Sequence, residues 1–597
     1  MTNVDLREEI DASIASGDAP RAARGLEQLW RAQASTSSAG FVASRYARLQ
    51  DRLNLTRQRW AFARSFTVEP VIPILQAAAY VHGMAIETHV GEFNAWQQEM
   101  LDASSPLYRF HPDVVVLAVL ARDLTPEDAL PRFRDAIGAF RRYSQSALIV
   151  HTLEQPAAPR SGLLDAQNAG GEGETIRRIN RELAELAREH RGVYLLDYDA
   201  LVARHGRENW GDERKWLTVR LPVASAHLPH LAAEWLRFAH PLAGKVAKCV
   251  AVDLDNTLWG GVIGEDGMAG VQLGPEYPGA AFQEVQRALL DLSQRGILLA
   301  VCSKNNPAEA MEALSSHPGM LLQPRHFAAM RINWNPKAQS LREIAQELNI
   351  GLDAVAFLDD NPVERQHVRE EAPEAIVIEL PDNPMAFARA VRDSPWFERL
   401  TLSDEDRKRQ DYYAAQRERA ELERSVTSKE DFYRSLEQVC EIAPVNEATL
   451  ARVAQLTQKT NQFNLTTRRY TEQQVAAMAE CPGWRVWTLR VKDRYADNGL
   501  VGVAISRQEG SVCEIDTFLM SCRVIGRTVE TALLARIAAD ARERGARTLQ
   551  GVFLPTKKNA PAAEFYRDHG FEESEGGLWR LDLTRQTIAA PEWIKTV

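Results

Sequence analysis

Short apolar runs that end in polar residues are the feature that most restricts how this chain can fold. In the central part of the sequence, CVAV ends at Asp253, LLAV ends at Cys302 and VAFL ends at Asp359. Helical patterns such as AAFQEVQRALLDLSQRG and NPKAQSLREIAQELNI lie between these runs. Buried strands that alternate with helices predict a parallel sheet with helices on both of its faces.

The length of 597 residues is enough for about three or four domains. We predict an N-terminal helical segment followed by an α/β domain over residues 1–242, an α/β domain over 243–400 and an α+β domain over 401–597. FTVEPVIPIL (66–75) is predicted to be the first strand of the N-terminal domain, and a charge-rich helix is predicted over about 403–437. The predicted fold class is therefore multidomain α/β.

Composition excludes several classes of protein. The net charge of -10 argues against a general nucleic-acid binder. No apolar run approaches the roughly 20 residues of a membrane span, and the first residues lack the basic and apolar regions of a signal peptide. Six cysteines without a CxxC pair indicate reduced thiols. We therefore expect a cytoplasmic enzyme.

Polar residues cluster where the central strands are predicted to end, which is where ligands bind in open parallel sheets. Clustered aspartates can hold Mg²⁺, and one carboxylate can attack phosphorus while a second acts as general acid and base. A lysine and a serine can bind the phosphoryl oxygens. The candidates are Asp253, Asp255, Ser303, Lys304, Asn305, Lys337, Asp359 and Asp360.

The motifs DLDNT, VCSKN, NPK and FLDDNP resemble the four motifs of the haloacid dehalogenase superfamily. The resemblance implies Mg²⁺-dependent phosphoryl transfer through Asp253, with Asp255 as acid and base. It also implies phosphate binding by Ser303 and Lys337. Asp359 and Asp360 would complete a metal site with Asp253 and Asp255, and Thr257, Lys304 and Asn305 would border the bound phosphate.

A narrower likeness extends over about 245–585. DLDNTLWGGVIGEDG, NWNPKAQSL, KTNQFNLTTRRY and FLMSCRVIGR are similar to the FkbH-like family. That family loads a glyceryl group, derived from 1,3-bisphosphoglycerate, onto the phosphopantetheine thiol of an acyl carrier protein. The product feeds polyketide or related natural-product biosynthesis.

Acyl transfer of this kind favours a thiol near the phosphate. Attack by Cys302 on the acyl carbon would conserve the activation as a thioester, and Lys304 or Lys337 could lower the pKa of its thiol. Cys522 is the alternative acyl carrier, and direct transfer to the carrier-protein thiol is a third route. A structural role for Cys302 also stays open, because cysteine packs well in cores.

The C-terminal segment SCRVIGRTVETALLARI predicts a strand end, a turn and a helix whose free N–H groups could hold phosphate. It resembles the Gcn5-related N-acyltransferase (GNAT) fold, in which this element binds coenzyme A. The resemblance implies that Cys522, Arg523, Gly526 and Arg527 contact the phosphopantetheine arm. Arg527 departs from the small residue common at that position, so a docking role without coenzyme A binding stays open.

The order of elements in the N-terminal domain is similar to SGNH hydrolases. No Gly-Asp-Ser follows FTVEPVIPIL, and His227 and His230 lack a nucleophile partner in the sequence. We therefore expect a non-catalytic domain. For the whole chain, the alternatives are a plain Mg²⁺-dependent phosphatase with carrier-binding flanks, a transferase of another hydroxyacyl unit, and a non-catalytic adaptor.

Overall fold

The computed structural model describes residues 3–402, 419, 426, 428–556, 558–574 and 577–597. The chain divides into two compact units, Met1–Ala239 and His240–Val597. The second unit holds both of the regions predicted as separate domains, 243–400 and 401–597. Most of the helix predicted over 403–437 lies outside the described residues.

The first unit contains three N-terminal helices followed by a five-stranded parallel sheet. The sheet order is β2-β1-β3-β4-β5. Its strands are β1 (Thr56–Arg64), β2 (Met84–Val90), β3 (Val114–Ala118), β4 (Ala147–His151) and β5 (Val193–Leu196). Its helices are α1 (Asn3–Ala15), α2 (Ala19–Ala32), α3 (Thr36–Leu49), α4 (Ile72–Val81), α5 (Trp96–Leu101), α6 (Pro106–Arg109), α7 (Ala129–Tyr143), α8 (Glu172–Glu189), α9 (Tyr198–His205), α10 (Arg207–Trp210) and α11 (Glu213–Val219). The next helix, α12 (Leu228–Leu242), begins in the first unit and ends in the second.

The predicted strand over 66–75 is wrong. Pro70 and Pro73 stand at the starts of a short 3-10 helix and of α4, where proline is favoured because its missing N–H has no intrahelical partner. The first strand is instead Thr56–Arg64, in which Trp60, Phe62 and their neighbours are buried.

The second unit begins with another five-stranded parallel sheet, in the order β10-β9-β6-β7-β8. Its strands are β6 (Cys249–Val252), β7 (Leu298–Ser303), β8 (Phe327–Ile332), β9 (Val355–Leu358) and β10 (Ile376–Val377). The helices around it are α13 (Ile263–Gly270), α14 (Gly279–Gln294), α15 (Pro307–Ser316), α16 (Lys337–Glu347), α17 (Pro362–Glu371) and α18 (Phe387–Arg392).

Side chains of this sheet alternate between two hydrophobic clusters, one on each face. Val250 and Val252 of β6 belong to one cluster, whereas Cys249 and Ala251 belong to the other. This alternation is the two-residue period of a strand that is buried on both faces. It confirms the predicted parallel arrangement with helices on both sides.

The remainder of the second unit is a largely antiparallel sheet in the order β17-β18-β16-β15-β14-β13-β11-β19, with β12 paired to β15. The strands are β11 (Gln438–Pro444), β12 (Phe463–Asn464), β13 (Trp484–Lys492), β14 (Asp497–Glu509), β15 (Val512–Met520), β16 (Thr548–Val552), β17 (Glu572–Ser574), β18 (Leu578–Asp582) and β19 (Ile594–Thr596). The helices are α19 (Lys429–Ser435), α20 (Glu447–Lys459), α21 (Glu472–Glu480), α22 (Val529–Glu543) and α23 (Phe565–Asp568).

The multidomain α/β fold class is therefore confirmed. Within the described part of the chain, no helix combines the length and the apolar character needed to cross a bilayer.

Candidate functional site

Three neighbouring strands bring the candidate residues to one edge of the second unit's parallel sheet. Strand β6 pairs with β7 on one side and with β9 on the other. Asp253 directly follows β6, Ser303 ends β7 and Asp359 directly follows β9. Since parallel strands all end at the same edge, residues that are distant in sequence become neighbours there.

Three carboxylates meet at this edge. Oxygen atoms of Asp253, Asp359 and Asp360 all lie within 4.8 Å of one another. Oδ1 of Asp253 is buried and accepts no hydrogen bond from any described residue. Burial, reinforced by the charge of Asp253, raises the pKa of Asp359 and of Asp360. A buried oxygen without a partner and crowded carboxylates fit a hard cation with oxygen ligands.

Lys337 is the positive charge that opposes these carboxylates. Its Nζ lies 2.9 Å from Oδ2 of Asp253 and 2.5 Å from Oδ2 of Asp359, and its side chain is 4% exposed. Burial acts to lower the pKa of Lys337, but the charges of Asp253 and Asp359 outweigh it and raise the pKa. The lysine is therefore charged, and it holds one Asp253 oxygen while the other has no partner.

Asp255 has different surroundings from Asp253. Its Oδ1 accepts hydrogen bonds from Nε1 of Trp259 at 2.9 Å and from the backbone N of Ile263 at 3.1 Å. Its Oδ2 accepts one from Nδ2 of Asn305 at 2.8 Å. Burial raises the pKa of Asp255, and the charge of Asp253 adds to the effect. A carboxyl group with a raised pKa that is held in a fixed orientation suits a general acid and base.

The carboxylate of Asp255 is not part of the three-carboxylate group. Its two oxygens accept hydrogen bonds from Trp259, Ile263 and Asn305. Metal binding by the Asp255 side chain stays a prediction. The sequence prediction missed Trp259, although the LWGG extension of the first motif contains it. The signal was available, because a fully buried tryptophan requires an acceptor for its N–H.

Two of the residues predicted to bind phosphate, Thr257 and Asn305, form hydrogen bonds to carboxylates of the site. Oγ1 of Thr257 donates to Oδ1 of Asp360 at 3.0 Å and accepts from the Asp360 backbone N at 3.1 Å. Thr257 thus positions a member of the carboxylate group, and Asn305 positions Asp255 in the same way.

Lys304 and Ser303, at the carboxyl end of β7, have different surroundings. Nζ of Lys304 lies 2.6 Å from Oε1 of Glu364 on α17 and forms an ion pair there. Ser303 is buried at the end of β7. Phosphate binding by either residue stays a prediction.

Cys302 lies beside Ser303 in sequence but on the opposite side of β7. Its side chain is 0% exposed and packs in the cluster that contains Ala338, Leu341 and Phe357. Its Sγ lies 3.8 Å from the backbone O of Lys337. Burial raises the pKa of the thiol, against the opposing effect of Lys337. These surroundings argue against Cys302 as an acyl acceptor and favour the packing role.

The turn between β15 and α22 contains the four predicted arm-binding residues. Cys522 is half-buried and lines a cavity, and so does Arg523, whose Nη1 donates to the backbone O of Asn498 at 3.1 Å. Gly526 has a positive φ of 78°, a conformation that favours glycine.

Arg527 is buried, and its Nη1 donates to Oδ2 of Asp493 at 3.0 Å. Nη2 of Arg419 donates to the other oxygen of the same carboxylate at 2.9 Å. The Arg527 guanidinium is therefore engaged inside the protein, which argues against contact with the arm.

In the first unit, His227 and His230 do have a common neighbour, His205. The rings of His205 and His230 stack at 3.8 Å, and the Nδ1 atoms of His227 and His230 are 3.3 Å apart. Ser65 follows β1 in place of a Gly-Asp-Ser motif, and its Oγ donates to Oδ2 of Asp123 at 2.6 Å. The expectation that this unit is non-catalytic stays a prediction.

One solved structure shares much of this fold. The N-terminal part of the protein BF1531 from Bacteroides fragilis, which contains a phosphatase domain complexed with Mg, is 25% identical to this chain. The match has a TM-score of 0.56 and covers 62% of this chain and 100% of that chain. About three fifths of this chain therefore shares its fold with a solved structure that contains a phosphatase domain.

Shorter matches fall on acetyltransferases. The ribosomal-protein-S18-alanine N-acetyltransferase from Escherichia coli is 15% identical, with a TM-score of 0.20, and the match covers 26% of this chain and 97% of that one. An acetyltransferase of the GNAT family from Staphylococcus aureus is 13% identical, with a TM-score of 0.20, over 24% of this chain and 99% of that one. No protein-family model and no curated protein matches the sequence.

Proposed function

We propose that this chain is a phosphatase and glyceryl transferase. It would dephosphorylate a donor derived from 1,3-bisphosphoglycerate and load D-glyceryl onto the phosphopantetheine thiol of an acyl carrier protein. The phosphatase part is carried by one observation, which is the buried Asp253 with one oxygen on Lys337 and the other without a partner. The glyceryl part rests on the likeness of the sequence motifs to the FkbH-like family.

The proposed cofactor is Mg²⁺, held by Asp253, Asp359 and Asp360. The fit is supported by the clustering of their oxygens and by the unpartnered Oδ1 of Asp253. It is also supported by the Mg found with the phosphatase domain of BF1531. When bound, the cation would neutralise charge on the phosphoryl oxygens.

The residues of the chain supply the bond-making steps. A carboxylate oxygen of Asp253 attacks the phosphorus of the ester at the 3-position of the glyceryl unit, and the bond from phosphorus to the ester oxygen breaks. Asp255 gives its proton to that leaving oxygen. Asp255 then takes a proton from the water that attacks the aspartyl-phosphate, which releases inorganic phosphate and restores Asp253.

Lys337 has two roles in this scheme. Its ammonium group holds one oxygen of Asp253, which fixes the orientation of the nucleophile. It also places a permanent positive charge beside the incoming phosphoryl group, in a buried site where water screens charge poorly.

For the acyl step, Cys522 is the better candidate for the acyl carrier. It is half-buried and lines a cavity, whereas Cys302 is fully buried. Transfer to the carrier protein then exchanges one thioester for another, which conserves the activation of the acyl group.

Mass spectrometry of a holo acyl carrier protein tests the proposal. With enzyme, Mg²⁺ and 1,3-bisphosphoglycerate, we expect a glyceryl adduct on the carrier thiol, and with Asp253→Asn we expect any adduct to retain its phosphate. Phosphate release with an unmodified carrier would leave only the alternative of a phosphatase with carrier-binding flanks. An adduct formed better from another phosphorylated hydroxy acid would identify a different acyl unit.

A further inference from the structure

A cavity of about 490 Å³ lies within the second unit, on the side of the parallel sheet away from Asp253. One wall comes from the parallel-sheet region and includes Lys248 and residues 351–354. The other wall comes from the C-terminal region and includes residues 459–462 and 520–523. The cavity is therefore composite, since neither region alone encloses it.

The lining of this cavity is strongly cationic. It contains six basic side chains and only two acidic ones, Asp353 and Glu374, in a chain whose net charge is -10. Asp353 is already paired with Lys558, whose Nζ lies 2.5 Å away. The basic residues are Lys248, Arg342, Arg452, Lys459, Arg523 and Lys558. Such a concentration of positive charge in a concave site attracts a small anion.

The cavity and the Asp253 site lie at opposite edges of the same sheet. Lys248 directly precedes β6, and its backbone N donates to the O of Ala354, which directly precedes β9. Asp253 and Asp359 come after the other ends of these two strands. At about 3.3 Å per residue, the Cα atoms of Lys248 and Asp253 are about 16 Å apart. A small molecule bound at Asp253 therefore cannot react with a group in the cavity.

Cys522 is the only cysteine among the residues that line the cavity. Its backbone O accepts a hydrogen bond from Nδ2 of Asn349 at 2.9 Å, which ties the β15–α22 turn to the parallel-sheet region. Arg523, the next residue, also lines the cavity. Cys522 and the basic residues thus line the same cavity.

We propose that this cavity is a second phosphate-binding site, which holds the acyl phosphate of a small phosphorylated donor beside Cys522. The inference rests on the proposed transferase function, because a donor at Asp253 is too far from Cys522. The sulfur attacks the carbonyl carbon, the C–S bond forms and the bond from carbon to the phosphate oxygen breaks. Inorganic phosphate leaves with the electron pair, and the thiol proton passes to solvent.

Protection of Cys522 from alkylation tests this site in the full chain. The probes are inorganic phosphate and 3-phosphoglycerate in buffer with EDTA, and peptide mass spectrometry monitors the reaction of iodoacetamide with each cysteine. Cys481 is exposed and serves as an internal control. We expect either probe to slow alkylation of Cys522 several-fold and to leave Cys481 unaffected.

Variants assign the protection to the cavity. Lys248→Gln and Lys459→Gln, one from each wall, should each weaken the protection, and the control Lys595→Gln, at an exposed position of β19, should not. Circular dichroism confirms that each variant is folded. Asp253→Asn should retain full protection, because its site lies at the other edge.

The inference is overturned if neither probe protects Cys522, if protection survives both lysine substitutions, or if Asp253→Asn abolishes it. The test is separate from that of the proposed function. A carrier protein that is never loaded, together with intact protection of Cys522, would remove the glyceryl assignment and leave the phosphate site. A loaded carrier with an unprotected Cys522 would remove the phosphate site and leave the glyceryl assignment.

Discussion

The two five-stranded parallel sheets of this chain differ in the residues at the carboxyl ends of their strands. In the first unit, Ser65 and Thr152 come directly after β1 and β4, and their hydroxyls donate to Asp123 at 2.6 Å and to Asp197 at 3.3 Å. In the second unit, the residue after β6 is Asp253, whose buried Oδ1 accepts nothing from the described residues. Both sheets consist of five parallel strands. Only the second has, among the described residues, a strand end where a carboxylate oxygen accepts no hydrogen bond and a lysine binds the same carboxylate.

The largest expected effect is on catalysis. Asp253→Asn should lower phosphate release from a simple phosphate ester by about a thousand-fold or more, because it removes the proposed nucleophile. Ser65→Ala, the equivalent strand-end substitution in the first unit, should retain the activity. A colorimetric phosphate assay measures both. Equal losses of phosphatase activity in the two variants would contradict the assignment of the reactive site to the second unit's sheet.

Lys337→Ala should be the most destabilising of the site variants. It leaves Asp253 and Asp359 as buried carboxylates without their cation, which costs about 3–5 kcal/mol. Lys304→Ala breaks a more exposed pair with Glu364 and should cost about 1 kcal/mol or less. Urea unfolding without Mg²⁺ compares the two. Similar losses would mean that Lys337 does not oppose a buried charge.

Mg²⁺ should raise the melting temperature of the protein, with a stabilisation of about 2.7 kcal/mol at a concentration of 100 times its Kd. The effect should be smaller at pH 5 than at pH 7.5. Burial raises the folded-state pKa of Asp359 and Asp360, so their stabilising contribution is present at low pH and is lost as pH rises. Where Asp359 and Asp360 are ionised, a bound cation restores the lost stability. At low pH, protons compete with the cation for the same carboxylates.

Calorimetry with and without EDTA measures this shift. Asp360→Asn should reduce it, whereas Asp197→Asn at the edge of the first unit's sheet should not. A shift that is independent of Asp360, or one that grows toward pH 5, would contradict the assignment of the metal site.

A smaller effect should appear in the pH profile of kcat/KM. In the proposed mechanism Asp255 must be protonated to give its proton to the leaving group, so we expect activity to fall as pH rises through its pKa. Trp259→Phe removes a hydrogen bond that lowers this pKa. The alkaline limb should therefore move to higher pH by about half to one unit. Trp235→Phe, which loses a similar bond to His151 in the first unit, should not move it.

Much of the candidate site could be predicted from the sequence, because parallel strands force their ends together. Asp253, Ser303 and Asp359 come from three separate segments, and the alternation of strands and helices was enough to place them at one edge. The surroundings of Asp255 could not be predicted in this way. Trp259, Ile263 and Asn305 bind its oxygens through a turn, whose conformation no periodic pattern encodes.

The interpretation of Cys302 as a reactive thiol and the misplaced first strand have physical causes. Cys302 and Ser303 are adjacent, and adjacent residues in a strand point to opposite faces, so a cysteine next to a site residue faces the core. In β1, Arg57 and Arg59 make the first half of the strand look polar, although its second half is buried. The strand was therefore not predicted from the sequence. In 66–75, the apolar residues of a short 3-10 helix and of the start of α4 form a run that resembles a strand, although its two prolines mark helix starts.

The separation of the two edges of the parallel sheet has a consequence for how long a thioester would last. In the proposed mechanism, water activated by Asp255 would act at the carboxyl edge, whereas an acyl group on Cys522 would reside about a strand's length away. Its lifetime would then be set by uncatalysed hydrolysis and by the arrival of a carrier protein. One chain can in this way contain a hydrolytic centre and a hydrolysis-sensitive intermediate together.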